Sequence, residues 1–81
     1  MWHIYVLKSL VNSRLYTGST NNLERRLKEH NSGQSKYTRL TRPFKLVYKE
    51  DYFNRLEARR RELFLKTGKG REFVKTLIKG P

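Results

Sequence analysis

Cysteine is absent from the 81-residue chain, which excludes disulfides and thiolate–metal sites and makes the reducing cytoplasm the expected compartment. Long apolar runs are missing too, and nothing approaches the ~20 residues of a membrane-spanning helix. Residues Met1–Lys8 lack the basic start and small-residue cleavage site of a signal peptide, so a soluble protein is expected. No repeat, low-complexity tract or Pro/Gly/Ser-rich spacer divides the chain. A single domain over residues 1–81 is expected, near the lower size limit for folding without staples. Acidic residues are few: seven Asp and Glu stand against 19 Lys and Arg, a formal net charge of +12. Such an excess destabilises a compact domain by self-repulsion unless a polyanion is the working partner. Nucleic acid is the first partner this implies, with DNA and RNA not separated. An anionic membrane surface is the weaker alternative and is not adopted.

The residues that are present set out an alternation of strands and helices. Trp2–Lys8, rich in Ile, Tyr, Val and Leu, reads as a strand. Val11–Arg14 supplies a turn, and Leu15–Gly18 a short second strand. Asn21 is the expected cap of the next helix, with Glu24 three residues on as capping-box partner; that helix runs to about His30 and stops at Asn31-Ser32-Gly33. Residues 34–43 form a polar, basic loop closed by Pro43. Phe44–Tyr48 alternates and extends toward Tyr52 as a third strand. Asn54, with Glu57 three residues on, caps a second helix ending before Thr67-Gly68-Lys69-Gly70, which reads as a helix terminator and not a phosphate-binding loop. Phe73, Val74, Leu77 and Ile78 fall at the spacing of a third, amphipathic helix over Arg71–Lys79. The expected class is α+β: a small three-stranded antiparallel sheet flanked by three helices, in the order ββα-βα-α.

Three features stand out against that frame. Leu23 and Leu27 mark the inward face of the first helix. At about 100° per residue, Arg26 and His30 lie within roughly 60° of Leu23, on the same face. An inward arginine costs free energy unless an anion or carboxylate meets it. Next, a hairpin loop with an even number of residues pairs positions of odd sum, which puts Tyr5 and Tyr16 on one face of the sheet. An odd loop or a bulge would separate them, and both also fit as ordinary strand tyrosines. Gly18, just before the helix cap, allows backbone or ligand to approach the sheet edge. Finally, the second helix carries two apolar stripes, Leu56/Leu63/Phe64 and Ala58/Leu65. If Ala58 and Leu65 meet the core, Glu62 sits at their rim; a surface pair with Lys66 is the competing reading. In the 34–43 loop, Lys36, Tyr37, Arg39 and Arg42 combine cations with an aromatic, which suits phosphate contact with stacking. Arg59, Arg60 and Arg61 include a simple solvated face.

The paired motifs His3-Ile4-Tyr5 and Tyr16-Thr17-Gly18, the run Asn22-Leu23-Glu24-Arg25-Arg26 and the segment Glu57-Ala58-Arg59-Arg60-Arg61-Glu62 together resemble the GIY-YIG nuclease superfamily. His30-Asn31-x-Gly33, Lys36-Tyr37-Thr38-Arg39 and Pro43 are similar to its small stand-alone members. These are UPF0213-like and resemble the nuclease domain of the ABC excinuclease. Order and spacing carry the resemblance, since each three-letter motif is weak alone. His3 replaces the first Gly of the name motif, a position that mostly concerns strand packing. The Asn that the family often carries after its glutamate is missing, because no Asn follows Asn54.

The resemblance implies a DNA endonuclease using Mg²⁺ or Mn²⁺, with Glu62 as metal ligand and Arg26 as a planar fork on the scissile phosphate. It further implies that one tyrosine acts as general base while the other positions water. Tyr16 is assigned the base and Tyr5 the positioning role, with the reverse left open. A free tyrosine titrates near ~10, so nearby cations must make the base more acidic. His30 stands where some relatives carry a functional histidine or tyrosine; a partly buried helical histidine is the equal alternative. No specificity domain is expected, so target choice falls to DNA shape, a protein partner or the domain's own loops. A link to repair or recombination is expected. The competing functions are a non-cleaving basic nucleic-acid-binding module and an interaction protein whose specificity a partner supplies.

Overall fold

The computed structural model describes residues 1–36 and 38–79. Six elements follow in order: β1 (Trp2–Ser9), β2 (Leu15–Thr20), α1 (Leu23–Ser32), β3 (Phe44–Tyr52), α2 (Arg55–Leu65) and α3 (Gly68–Lys79). The strands form one antiparallel sheet in the order β2-β1-β3, so the class is α+β with the expected element order.

The central strand is apolar on both sides because both sides are covered. Ile4, Tyr5, Val6 and Leu7 are all buried. Successive side chains point to opposite faces. Ile4 and Val6 therefore pack with Ala58, Leu65 and Val74 of α2 and α3. Tyr5 and Leu7 pack with Phe44 and with Leu23 and Leu27 of α1. Each such side chain removed from water contributes about 1.5–3 kcal/mol. The β1–β2 register pairs Tyr5 with Gly18 and Leu7 with Tyr16, odd sums as expected, so both tyrosines share the α1 face.

Local chemistry moves several boundaries. The α1 cap is Asn22 and not Asn21: its side-chain oxygen accepts the Arg25 N–H at 3.1 Å. β2 continues through Thr20, whose hydroxyl takes the Asn22 N–H at 3.1 Å and shifts the helix start by one residue. Glu24 is then out of register for a capping box and lies 3.6 Å from Lys28. Asn54 caps α2 as expected, accepting the Glu57 N–H at 2.9 Å. Gly68-Lys69-Gly70 is the first turn of α3, not a terminator, and Thr67 caps it by accepting the Gly70 N–H at 3.2 Å. A side chain at Gly70 would collide with the Phe64 carbonyl, so glycine is what lets α3 turn back across the end of α2.

On α2 the Ala58/Leu65 stripe meets the core, while Leu56 and Leu63 remain over half exposed. Arg61 is not part of a solvated face. It forms a bidentate pair with Glu50 at 2.9 and 3.1 Å and lies 5.1 Å from the rings of both Phe64 and Phe73.

Candidate active site

One small pocket, about 230 Å³, passes from one face of the sheet to the other at β2. Its walls include Tyr5, Tyr16 and Arg26 on the α1 side and Ser19, Arg59 and Glu62 on the α2 side. Gly18 lies between them. A β-carbon there would sit 2.6 Å from Cζ of Tyr5, so what approaches the sheet edge at this glycine is the Tyr5 phenol itself.

The Tyr5 hydroxyl is held from two directions. It accepts from Nε of Arg26 at 3.4 Å and lies 3.1 Å from Nε2 of His30. With that oxygen accepting from arginine, the phenolic O–H is assigned as the donor to Nε2. Nδ1 then carries the imidazole hydrogen and donates to the Thr38 hydroxyl at 2.7 Å. Burial, together with the Arg26 charge, lowers the His30 pKa from 6.5 to about 4, so the ring is neutral at pH 7. Burial raises the Tyr5 pKa against the opposing hydrogen bond from Arg26. The Tyr5 and Tyr16 rings lie 6.4 Å apart, and Tyr16 meets His30 edge-on at 5.0 Å. Tyr16 lines the pocket, and its hydroxyl has no hydrogen-bond partner among the described residues.

Arg26 turns inward as helical spacing anticipates, with about a third of its side chain exposed. Desolvation opposes its charge, but hydrogen bonds to Tyr5 and to Glu29 (3.0 Å) outweigh this and raise its pKa. Those contacts engage two of the five N–H donors of a guanidinium and leave the others for a ligand.

Glu62 is buried on the opposite wall, only 8% exposed. One carboxylate oxygen accepts the Ser19 hydroxyl at 2.6 Å and the other the Lys66 ammonium at 2.8 Å. Burial pushes its pKa up, yet these two hydrogen bonds prevail and keep the carboxyl below its ordinary range. The i,i+4 pair with Lys66 is thus present, but at a buried rim and not on an open surface. Among the described residues no group of three or more His, Cys, Asp or Glu gathers around it. A lone carboxylate suits a hard, oxygen-seeking cation that keeps most of its shell as water and phosphate. It does not suit zinc, whose sites use three or four protein ligands.

Tyr5, Tyr16, Arg26 and Glu62 all line this pocket, and His30 adjoins it behind Tyr5. Lys36, Arg39 and Arg42 are exposed on the 34–43 loop and do not line it. Tyr37 lies outside the described residues. Sequence reasoning missed Ser19, Thr38 and Arg55. Arg55 lines the pocket with its guanidinium 5.4 Å from the Trp2 ring. Ser and Thr carry no periodic signal in a sequence, so nothing marked the first two. Arg55 and Arg59, one helical turn apart, were the available clue to a cationic wall.

Residues 1–75 match the family model of the GIY-YIG catalytic domain. A UPF0213 protein of Clostridium perfringens is 52% identical over 67 residues, covering 82% of this chain and 71% of that protein. A UPF0213 protein of Staphylococcus saprophyticus is 39% identical over 79 residues, covering 96% and 95%. The solution NMR structure of a UPF0213 protein of Bacillus halodurans superposes with a TM-score of 0.60 at 35% identity, covering 100% of this chain and 89% of that one.

Proposed function

The chain belongs to the GIY-YIG catalytic-domain family, and on that premise we propose that it is a divalent-metal-dependent DNA endonuclease hydrolysing phosphodiester bonds. The observation that carries this reading is the buried Glu62 carboxylate in a pocket shared with Arg26, Arg55, Arg59 and both tyrosines. Binding nucleic acid calls for the arginines but not for a carboxylate facing the same phosphate.

Arg26, already oriented by Tyr5 and Glu29, offers its remaining donors to the scissile phosphate and stabilises the charge that grows there. Tyr16, whose hydroxyl is uncommitted, serves as the base in its phenolate form, its own proton released to solvent, and accepts the proton of the attacking water. Tyr5 stays a phenol, kept so by burial and by donation to His30, and positions that water. Glu62 would hold Mg²⁺ or Mn²⁺, with water and substrate phosphate as further ligands. When bound, the ion supplies Lewis-acid stabilisation of negative charge on the phosphate and the leaving oxygen. Lys36, Arg39 and Arg42, exposed on their loop, are free to meet phosphates flanking the site. A cytoplasmic, structure-directed role in DNA repair or recombination, with a protein partner supplying specificity, is the setting that suits a catalytic domain of this size. The non-cleaving alternative draws its support from Lys66, whose ammonium already neutralises Glu62.

Incubating the protein with branched, flapped, single-stranded and duplex DNA, in Mg²⁺, Mn²⁺ or EDTA, tests the proposal. The wild type should nick at least one substrate only when metal is present. Arg26→Ala and Glu62→Ala should bind DNA without nicking it. Metal-dependent nicking absent on every substrate would favour the binding module.

A further inference from the structure

A second groove, about 610 Å³, opens between the hairpin and the start of α3. β2 is an edge strand, and residues of both parities from Arg14 to Thr17 line the groove, so it follows the strand's free edge. Four cations border it: Arg14 from the hairpin, Lys66 from the end of α2, and Arg71 and Lys75 from α3. Among the described residues no acidic side chain lines it. Arg14, Arg71 and Lys75 make no ion pair among the described residues. Arg71 and Lys75 are one helical turn apart on α3, where like charges repel and destabilise a helix. An anion in the groove would relieve that repulsion.

Two residues connect this groove to the candidate active site. Tyr16 lines both cavities, and Lys66 borders the groove while bonding to Glu62 in the pocket. A polyanion with one phosphate at Arg26 therefore meets the groove as its neighbouring segment passes Tyr16.

We infer that the groove holds an unpaired segment of the cleaved strand next to the scissile phosphate, with Arg14, Arg71 and Lys75 on its phosphates and Leu15 and Tyr16 beneath it. The inference rests on the nucleic-acid reading of the pocket. It goes beyond that reading by assigning an extended strand track, on the α3 side and not on the 34–43 loop.

The test titrates fluorescent single-stranded oligonucleotides, shortened stepwise from either end, in EDTA, against wild type and the triple variant Arg14→Ala/Arg71→Ala/Lys75→Ala. Nicking is measured in parallel with Mg²⁺. All three side chains are exposed, so the triple variant should melt with the wild type; Lys75→Glu alone serves if it does not. At roughly 0.7 per single-strand phosphate contact, the slope of log affinity against log salt should become shallower by about 2. Shortening from one end only should weaken wild-type binding and leave the triple variant unaffected. Wild-type affinity and slope in the triple variant would overturn the groove. So would displacement of the oligonucleotide by an oligoglutamate peptide as readily as by unlabelled DNA. Groove-dependent binding with no nicking removes the endonuclease reading and leaves the groove standing. Nicking that is indifferent to the groove variants does the reverse.

Discussion

On the α1 face of the sheet the polar atoms around Tyr5 are arranged as a closed chain: Arg26 to Tyr5, Tyr5 to His30, His30 to Thr38, with His30 fully buried. On the α2 face Glu62 also has two partners. One of them, Lys66, is half exposed, and Arg55 and Arg59, which line the same pocket as Glu62, form no ion pair among the described residues. The first side resembles a core that happens to contain polar groups. The second resembles a surface that happens to contain a buried carboxylate. Buried polar chains rigidify when complete and are costly when one member is lost. A charged, partly wet wall can exchange partners, as an incoming phosphate or cation requires. The pocket thus joins a fixed side, which sets geometry, to a replaceable side, which accepts charge. Substitutions on the two sides should separate stability from activity.

The sharpest separation is expected at Arg26, which ends the α1 chain at the pocket with a third of its side chain exposed. Arg26→Ala should lower nicking by about 100- to 1,000-fold, the usual loss for a donor aimed at developing charge. Tyr5 keeps its bond to His30 in that variant. The melting temperature should therefore move less than the roughly 4–8 °C that 1 kcal/mol brings in a domain of this size. A large fall in melting temperature would make Arg26 as structural as the buried His30 and break the comparison.

A comparably large effect, in stability and not activity, belongs to His30. Its folded pKa of about 4 lies below the unfolded 6.5, so between these values the unfolded state binds more protons. Stability then rises with pH across that window and is lost as pH falls from 6.5 toward 4, by a total on the order of 3 kcal/mol. Depressed carboxyls such as Glu62 add losses of their own only at the acid end. Denaturant unfolding at pH 5 and pH 7 should show the slope in wild type and a much weaker one in His30→Gln. An unchanged slope in the variant would mean that the α1 side is not the closed, dry chain described.

Thr38→Val comes next. Valine keeps the shape but leaves the buried His30 Nδ1–H without an acceptor, a cost of about 1–3 kcal/mol. Nicking by folded protein should fall by less than about tenfold, because the ring stays packed against Tyr16 and Phe44. This is the mirror image of Arg26→Ala. Equal losses in both readouts would merge the two sides into one unit.

Sequence made much of the fixed side legible, because it is built on periodicity. A four-residue apolar stretch within β1, two leucines marking the face of α1 and the odd-sum register together bring Tyr5, Tyr16 and Arg26 to one place. Thr38 escaped because its contact with His30 depends on how an aperiodic loop folds back over eight residues. On the other side, two apolar stripes on α2 left its rotation open, and only packing shows that Ala58 and Leu65 face inward, carrying Glu62 with them. Ser19 lies 43 residues from Glu62 in the chain, and no local signal spans that distance. Two of the misplaced boundaries have the same origin. Asn21 and Asn22 are equal candidates until the length of β2 decides between them, and a Gly-Lys-Gly run ends one helix as readily as it begins the next when a neighbouring helix excludes a side chain.

The smallest effects should come from Arg55 and Arg59, and they separate two jobs on one wall. Arg59→Ala removes a cation that lines the pocket and makes no ion pair among the described residues. Its cost should be a few-fold in DNA affinity, a salt slope shallower by about 0.7–0.9 per phosphate contact, and no change in melting temperature. Arg55→Ala removes a similar charge but also uncovers Trp2, an exposed-type cation–π contact contributing about 0.5–1 kcal/mol. It should show the same change in salt slope together with a small drop in stability. Fluorescence anisotropy across a salt series and thermal melts of both variants read the two quantities independently. If Arg59→Ala destabilises the fold while leaving the salt slope untouched, that arginine serves packing, and the replaceable wall shrinks to Arg55 and Lys66.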